Sequence, residues 1–314
     1  GVVTGFEGTC QVDFLEERIK SIVLANPWLC GQLCTDPNTS KLALWIPPLD
    51  DLPSSPLLTV CYVGTPEELE HLPPDEHFAP QGKHALKSDK TTNLFTLVAT
   101  VCKASNQFRL LLTISHVIAD AWTVYSIYGM LSSDAPVTSM DPTPPVPNWQ
   151  EGNDLTTLGK ENERKMWWII ISSTMGVVQE FFARFKNKKN KLKKSHVITR
   201  TIRPEVLKKE KERWHCSQEP TADVKFVSSN DILCAWFFRE TNPAAAMFVV
   251  NMRQRHPNIP ACKAGNYLEM LALYPAEFGD PRNLRKALDT LGEDCMADCN
   301  KAAGVTTTTP NNAS

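Results

Sequence analysis

The sequence predicts an α/β fold with a mainly antiparallel or mixed sheet in each half of the chain. Three observations lead to it. Residues 94–102 and 108–115 are β-prone runs flanking Ala104-Ser105-Asn106-Gln107, a hairpin signature. Residues 121–131 follow directly, with apolar residues dense enough for a buried helix. From 133 to 153 the composition turns to Pro, Ser, Thr and Asp, including Pro142, Pro144, Pro145 and Pro147, and patterned segments resume beyond it.

The chain has 314 residues, 42% hydrophobic and 22% charged, enough to build a core without disulfides or a structural metal. A net charge of −2 gives no field that would recruit nucleic acid or an anionic membrane. Ten cysteines are scattered with no CxxC pair. The CxxxC spacings Cys30–Cys34 and Cys295–Cys299 lack a neighbouring His/Cys pair. No metal site is expected. Most of the cysteines read as small buried hydrophobes in a reducing, cytoplasmic setting. The first residue is Gly1, and no basic stretch precedes a short apolar run, so the expectation is a mature or partial chain.

Along the chain, residues 11–24 carry Phe14, Leu15, Ile19, Ile22 and Val23 at helical spacing, stopped by Asn26-Pro27. Residues 41–46 and 57–63 read as strands around a Pro-rich turn, and 71–90 as a loop. Residues 155–185 are expected to be helical and 195–202 a strand. Residues 229–240 are expected to form a helix capped by Ser228 or Ser229, with Asp231 in its first turn. Residues 246–252 follow as a strand and 281–291 as a helix with Pro281 near its start. The expected domains are 1–132, a crossover over 133–195, and 196–303, with a disordered tail over 304–314.

Two HxxxD sequences occur. His71-Leu72-Pro73-Pro74-Asp75 holds two prolines, follows no strand and reads as a solvated loop. His116-Val117-Ile118-Ala119-Asp120 is delivered by the second hairpin strand and leads into the apolar helix. A strand end holds an imidazole more rigidly than a loop tip, and histidine can take a proton near neutral pH. Asp120 could shape the turn by accepting backbone N–H groups or an arginine. The alternative is a histidine closing a strand end, with Asp120 simply capping the helix.

At these residues the sequence resembles the coenzyme-A-dependent acyltransferase superfamily, which includes chloramphenicol acetyltransferase, nonribosomal-peptide condensation domains and, closest to this chain, the BAHD acyltransferases. Four blocks carry the resemblance in the family's order: Asn26-Pro27-Trp28-Leu29-Cys30-Gly31-Gln32-Leu33; the hairpin ending in His116-Val117-Ile118-Ala119-Asp120; Ser228-Ser229-Asn230-Asp231; and Asn251-Met252-Arg253-Gln254-Arg255 with Gly265-Asn266-Tyr267. The resemblance implies two chloramphenicol-acetyltransferase-like domains with a channel between them. His116 would be the general base, Asp120 structural and paired with Arg253, and Asn266 a channel-lining residue. Acyl-CoA would be co-substrate with a small hydroxyl or amine acceptor, with no permanently bound cofactor and no nucleic acid, in a monomer. The chain departs from the pattern at Ala121, where the family has Gly, and lacks an Asp-Phe-Gly-Trp-Gly block; Glu277-Phe278-Gly279-Asp280 is only superficially similar. It is also expected to lack the family's N-terminal strand and to hold an incomplete second domain.

Two further features are weighed. The apolar stretch from Met166 is followed by a basic run from Arg184 to Lys194. A core helix and a solvated crossover are preferred over peripheral membrane contact, and the lysines could also meet CoA phosphates. Trp28, Trp45 and Trp236 are expected in the core. GxGxxG, GxxxxGK[ST] and GxSxG are absent, against nucleotide-dependent and α/β-hydrolase chemistry. The reading is an acyltransferase; its rival is a non-catalytic relative that binds a ligand or partner.

Overall fold

The structure, a computed structural model, describes residues 1–51, 57–71, 78–80, 93–143, 164–171, 201–216, 224, 226–256 and 258–290. These residues fall into two compact units: those within Gly1–Pro147 together with Pro260–Tyr267, and those within Asn148–Ile259 together with Leu268–Ser314.

The first unit is built on a four-stranded mixed sheet of order β1-β6-β5-β4. Its strands are β1 (Val2–Glu7), β4 (Leu58–Val63), β5 (Phe95–Cys102) and β6 (Gln107–Ile114). β5 and β6 form the expected hairpin, antiparallel from Phe95 opposite Ile114 to Cys102 opposite Gln107. Its turn ends in Asn106 at φ 51°, a left-handed conformation that asparagine tolerates. β4 runs parallel to β5, and β1 pairs antiparallel with β6. A separate hairpin joins β2 (Gln32–Thr35) to β3 (Leu42–Trp45).

α1 (Val12–Ala25) buries Leu15, Ile19, Ile22 and Val23, the stripe that the 3.6-residue period dictates. These side chains pack with Leu97, Ala99, Leu110, Leu112 and Ile114 of the hairpin in one core. Full burial of such a side chain stabilises by about 1.5–3 kcal/mol. A 3₁₀ turn, Pro27–Cys30, follows Asn26. Gly31 ends it where a Cβ would lie 2.8 Å from Leu44 Cδ1, so glycine lets β2 approach β3. α2 (Pro66–Glu70) and α3 (Ala121–Gly129) also belong to the unit.

Several expectations are corrected here. An N-terminal strand is present: Val2–Glu7 was masked in the sequence by Gly1 and Gly5, and it holds its place through backbone pairing with β6. Residues 133–143, read by composition as the start of a linker or crossover, are fastened to α1 and its end. Asn26, fully buried, donates from Nδ2 to Thr138 O (2.9 Å) and accepts at Oδ1 from Met140 N (2.8 Å). Arg18 reaches Met130 O (2.6 Å), Ser132 O (2.8 Å) and Ala135 O. α3 is not wholly buried, because Trp122 and Tyr125 are exposed. Trp28 is core, but Trp45 and Trp236 are about half exposed. Of the described cysteines only Cys102 is fully buried.

The second unit contains helical residues 164–171, α4 (Pro204–Cys216), α5 (Ser229–Thr241), the antiparallel pair β7 (Ala246–Asn251) and β8 (Leu268–Leu273), the short α6 (Pro275–Phe278), and helical residues 281–290. α4 and β8 were not anticipated. The basic run, residues 195–200 of the strand expected over 195–202, and the tail lie outside the described residues, and Thr201 and Ile202 are not in a strand. Among the described residues no helix is long and apolar enough to cross a membrane.

α5 opens on a full capping box. Ser228 Oγ accepts from Asp231 N (3.2 Å), and Ser228 N donates to Asp231 Oδ2 (2.8 Å). Asp231 is buried, and Arg285 donates to the same carboxylate oxygen from Nε (2.9 Å) and Nη2 (2.6 Å). Removing one member of a buried pair strands the other's charge. Arg285→Met is therefore expected to lower stability by about 3–5 kcal/mol, against about 1 kcal/mol for Ser228→Ala. Urea unfolding midpoints of the two variants check the ordering; equal costs would contradict it.

Candidate active site

The site begins where β6 ends. Ser115 is completely buried; its N–H donates to Leu94 O (2.8 Å) and its Oγ to Pro80 O (2.6 Å). Its carbonyl accepts from Ile118 N (3.0 Å) and Ala119 N (3.2 Å), which folds residues 115–119 into a tight turn. Ile118, Ala119 and Asp120 are buried with Ser115, whereas His116 is exposed. The turn thus hides its own framework and presents the imidazole.

Asp120 locks the far side of the turn. It caps α3: Oδ1 accepts from Thr123 N (3.0 Å) and from Thr123 Oγ1 (3.0 Å). Oδ2 accepts from Tyr267 N (3.0 Å), and the Asp120 N–H donates to Gly265 O (3.1 Å). The capping role weighed from the sequence is therefore real, and it is joined to a second one. Asp120 ties the turn to residues 264–267, about 150 positions along the chain.

That strap is shaped by Gly265, whose φ of +138° suits glycine, and whose absent Cβ would lie 3.1 Å from the Tyr267 ring. Thr123 Oγ1 donates to Gly265 O (3.2 Å) and accepts from Gly265 N (3.3 Å). Asn266 Nδ2 donates to His116 O (2.7 Å) and to Val117 O (3.3 Å). Asn266, expected only to line a channel, holds the backbone of the histidine itself.

Arg253 lies in the second unit just after β7, 4% exposed, with its N–H (3.1 Å) and Nη1 (3.0 Å) donating to Asn251 Oδ1. Arg255 Nη1 donates to Leu288 O (2.5 Å). Thr123 escaped the sequence reading, although a threonine three residues after a helix-capping aspartate was a usable signal. His71 of the decoy is described, but Asp75 lies outside the described residues.

Other chemistry finds little footing. Among the described residues no three His, Cys, Asp or Glu side chains cluster to hold a metal. Burial pushes the Cys30 thiol up to about 11, far from a reactive thiolate. An apolar cavity of about 390 Å³, lined by Phe6, Phe14, Phe108, Leu110, Tyr128 and Leu131, sits at the opposite ends of β6 and α3 from His116, and is not the site described here.

No family model and no curated protein matches this sequence. Solved structures do. TRI101 of F. sporotrichioides, complexed with coenzyme A and T-2, aligns over 96% of this chain and 73% of its own at 15% identity and a TM-score of 0.52. TRI101 of F. graminearum, with the same two ligands, aligns over 96% and 74% at 14% identity and 0.53. The first condensation domain of the calcium-dependent antibiotic synthetase aligns over 96% and 71% at 13% identity and 0.53. The chain has the chloramphenicol acetyltransferase-like fold. The fold anticipated from four short sequence blocks is thus present at an identity where whole-sequence comparison finds nothing.

Asp120→Ala should cost about 2–4 kcal/mol, because it removes a helix cap and leaves the Tyr267 N–H without its acceptor. Thr123→Val should cost about 1–2 kcal/mol. Thermal melts that leave Asp120→Ala within error of wild type would contradict this account of the turn.

Proposed function

We propose that the protein transfers an acyl group from acyl-CoA to a hydroxyl or amine acceptor, with His116 as general base. The observation that carries this reading is the exposed imidazole on a turn whose other anchors are buried and hydrogen-bonded. Such a turn fixes a proton acceptor in place and spends no binding energy on ordering it. The fold supports the reading, because the TRI101 structures that share it were solved with coenzyme A.

In this mechanism the neutral imidazole takes the proton from the acceptor O–H or N–H as the oxygen or nitrogen attacks the thioester carbonyl. The tetrahedral intermediate collapses, the C–S bond breaks, and the imidazolium returns the proton to the departing CoA sulfur. The ester or amide and free CoA leave, and His116 ends neutral. Asp120 takes no proton. Its part is geometric, and Arg253 is proposed as its counter-charge. Both are buried charged groups, and a buried charge is costly without one of opposite sign.

Acyl transfer is tested with acetyl-CoA and a panel of alcohols and amines, following thiol release. His116→Ala should lower kcat by about 10²–10⁴-fold, the usual size of a lost general base, with an unchanged melting curve. Asp120→Asn should lower both stability and kcat. A double-mutant cycle with Arg253→Met should show a coupling of about 1 kcal/mol or more between the two positions. Full transfer by His116→Ala would retire the mechanism in favour of a non-catalytic ligand-binding relative. Additive losses at Asp120 and Arg253 would retire the pairing alone.

A further inference from the structure

Asn266 holds the His116 carbonyl, so whatever fixes Asn266 also fixes the histidine. The segment that carries it, Pro260–Tyr267, is far in sequence from the first unit's other residues and must be fastened to them. The fastening lies three residues before Asn266. Lys263 Nζ donates to Asp141 Oδ2 and to Thr143 O (2.8 Å). The backbones pair as well: Asp141 N donates to Cys262 O (2.9 Å), Ala264 N donates to Asp141 O (2.8 Å), and Asp141 and Lys263 form a β-bridge. Asp141 belongs to the segment that Asn26 and Arg18 hold against α1.

We infer that the Asp141–Lys263 ion pair is a positioning device for the His116 turn, setting where Asn266 and the Tyr267 N–H meet it. The inference rests on the function proposed above. Neither residue belongs to any of the sequence blocks that pointed to the site. Lys263 is 9% exposed, so its ammonium is largely out of water and needs the carboxylate it has. The Lys263 hydrogen bond holds the Asp141 carboxyl below its usual range. The Asp141 side chain is 45% exposed, so the pair can be altered without opening the core. Ala264, the next residue, is part of that core, which leaves the strap little freedom between clamp and turn. With three residues spanning at most about 10 Å, a shift at Lys263 is passed to Asn266 rather than absorbed.

The test compares full-length wild type with Lys263→Met, Lys263→Arg and the exchanged pair Asp141→Lys/Lys263→Asp. Amide hydrogen exchange is read at Asp120 and Tyr267, whose N–H groups bond between turn and strap. In Lys263→Met both should exchange about tenfold or more faster, the effect of losing a charge-assisted bond, while β5 and β6 amides keep wild-type rates. Lys263→Arg and the exchanged pair should restore protection. In acetyl-CoA transfer, Lys263→Met should lose about tenfold in kcat with its KM for acetyl-CoA unchanged, the mark of lost geometry rather than lost binding. Unchanged exchange at Asp120 and Tyr267, or equal acceleration through β5 and β6, would overturn the inference. A wild type without transferase activity would remove the proposed reaction, and the exchange comparison would still decide the clamp.

Discussion

The Asp120 carboxylate is the contact on which the candidate site depends. One oxygen closes the N-terminus of α3 through the Thr123 N–H and hydroxyl, and the other takes the Tyr267 N–H. A single buried side chain thereby joins the end of β6, the start of α3 and a strap from the far part of the chain. Three residues separate it from His116, too few for the histidine backbone to wander once Asp120 and Ser115 are fixed. The aspartate works through shape, and its negative charge faces a helix N-terminus, where the macrodipole favours it.

Where the pattern of residues is local, the sequence disclosed the structure well. The apolar stripe of α1, the hairpin of β5 and β6, and the start of α5 at Ser228 or Ser229 were legible from patterns within each segment. Elements held by distant partners were harder. β1 is a short edge strand interrupted by Gly5, and its place comes from pairing with a strand about a hundred residues later. Residues 133–143 look like linker or crossover by composition, yet a buried Asn26 and Arg18 bind Thr138, Met140 and Ala135 to α1 and its end. Trp45 and Trp236 show the reverse error: bulk and apolarity suggested burial, but each sits where its own hairpin or helix meets solvent.

The same division holds at the site. His116 and Asp120 stood out because strand, turn and helix surround them in order. The Asp141–Lys263 clamp did not, since its role exists only once the strap lies against the turn, and Thr123 went unread although its bond to Asp120 is local. Asn266 entered through a family resemblance as a channel residue, and the structure gives it a more definite task as the clasp on the His116 backbone. The fold shared with TRI101 and a condensation domain is the scaffold that surrounds these groups, and the turn exposes the histidine on it.

If His116 is the base proposed for acyl transfer, bound CoA should cover it. Carbethoxylation of the full chain with diethylpyrocarbonate, mapped residue by residue by mass spectrometry with and without CoA, tests it most directly. His116 should be modified rapidly in the free protein and protected when CoA is added, while His71 keeps the same rate in both. Equal modification of His116 with and without CoA, under conditions where CoA binding is measured independently, would contradict it.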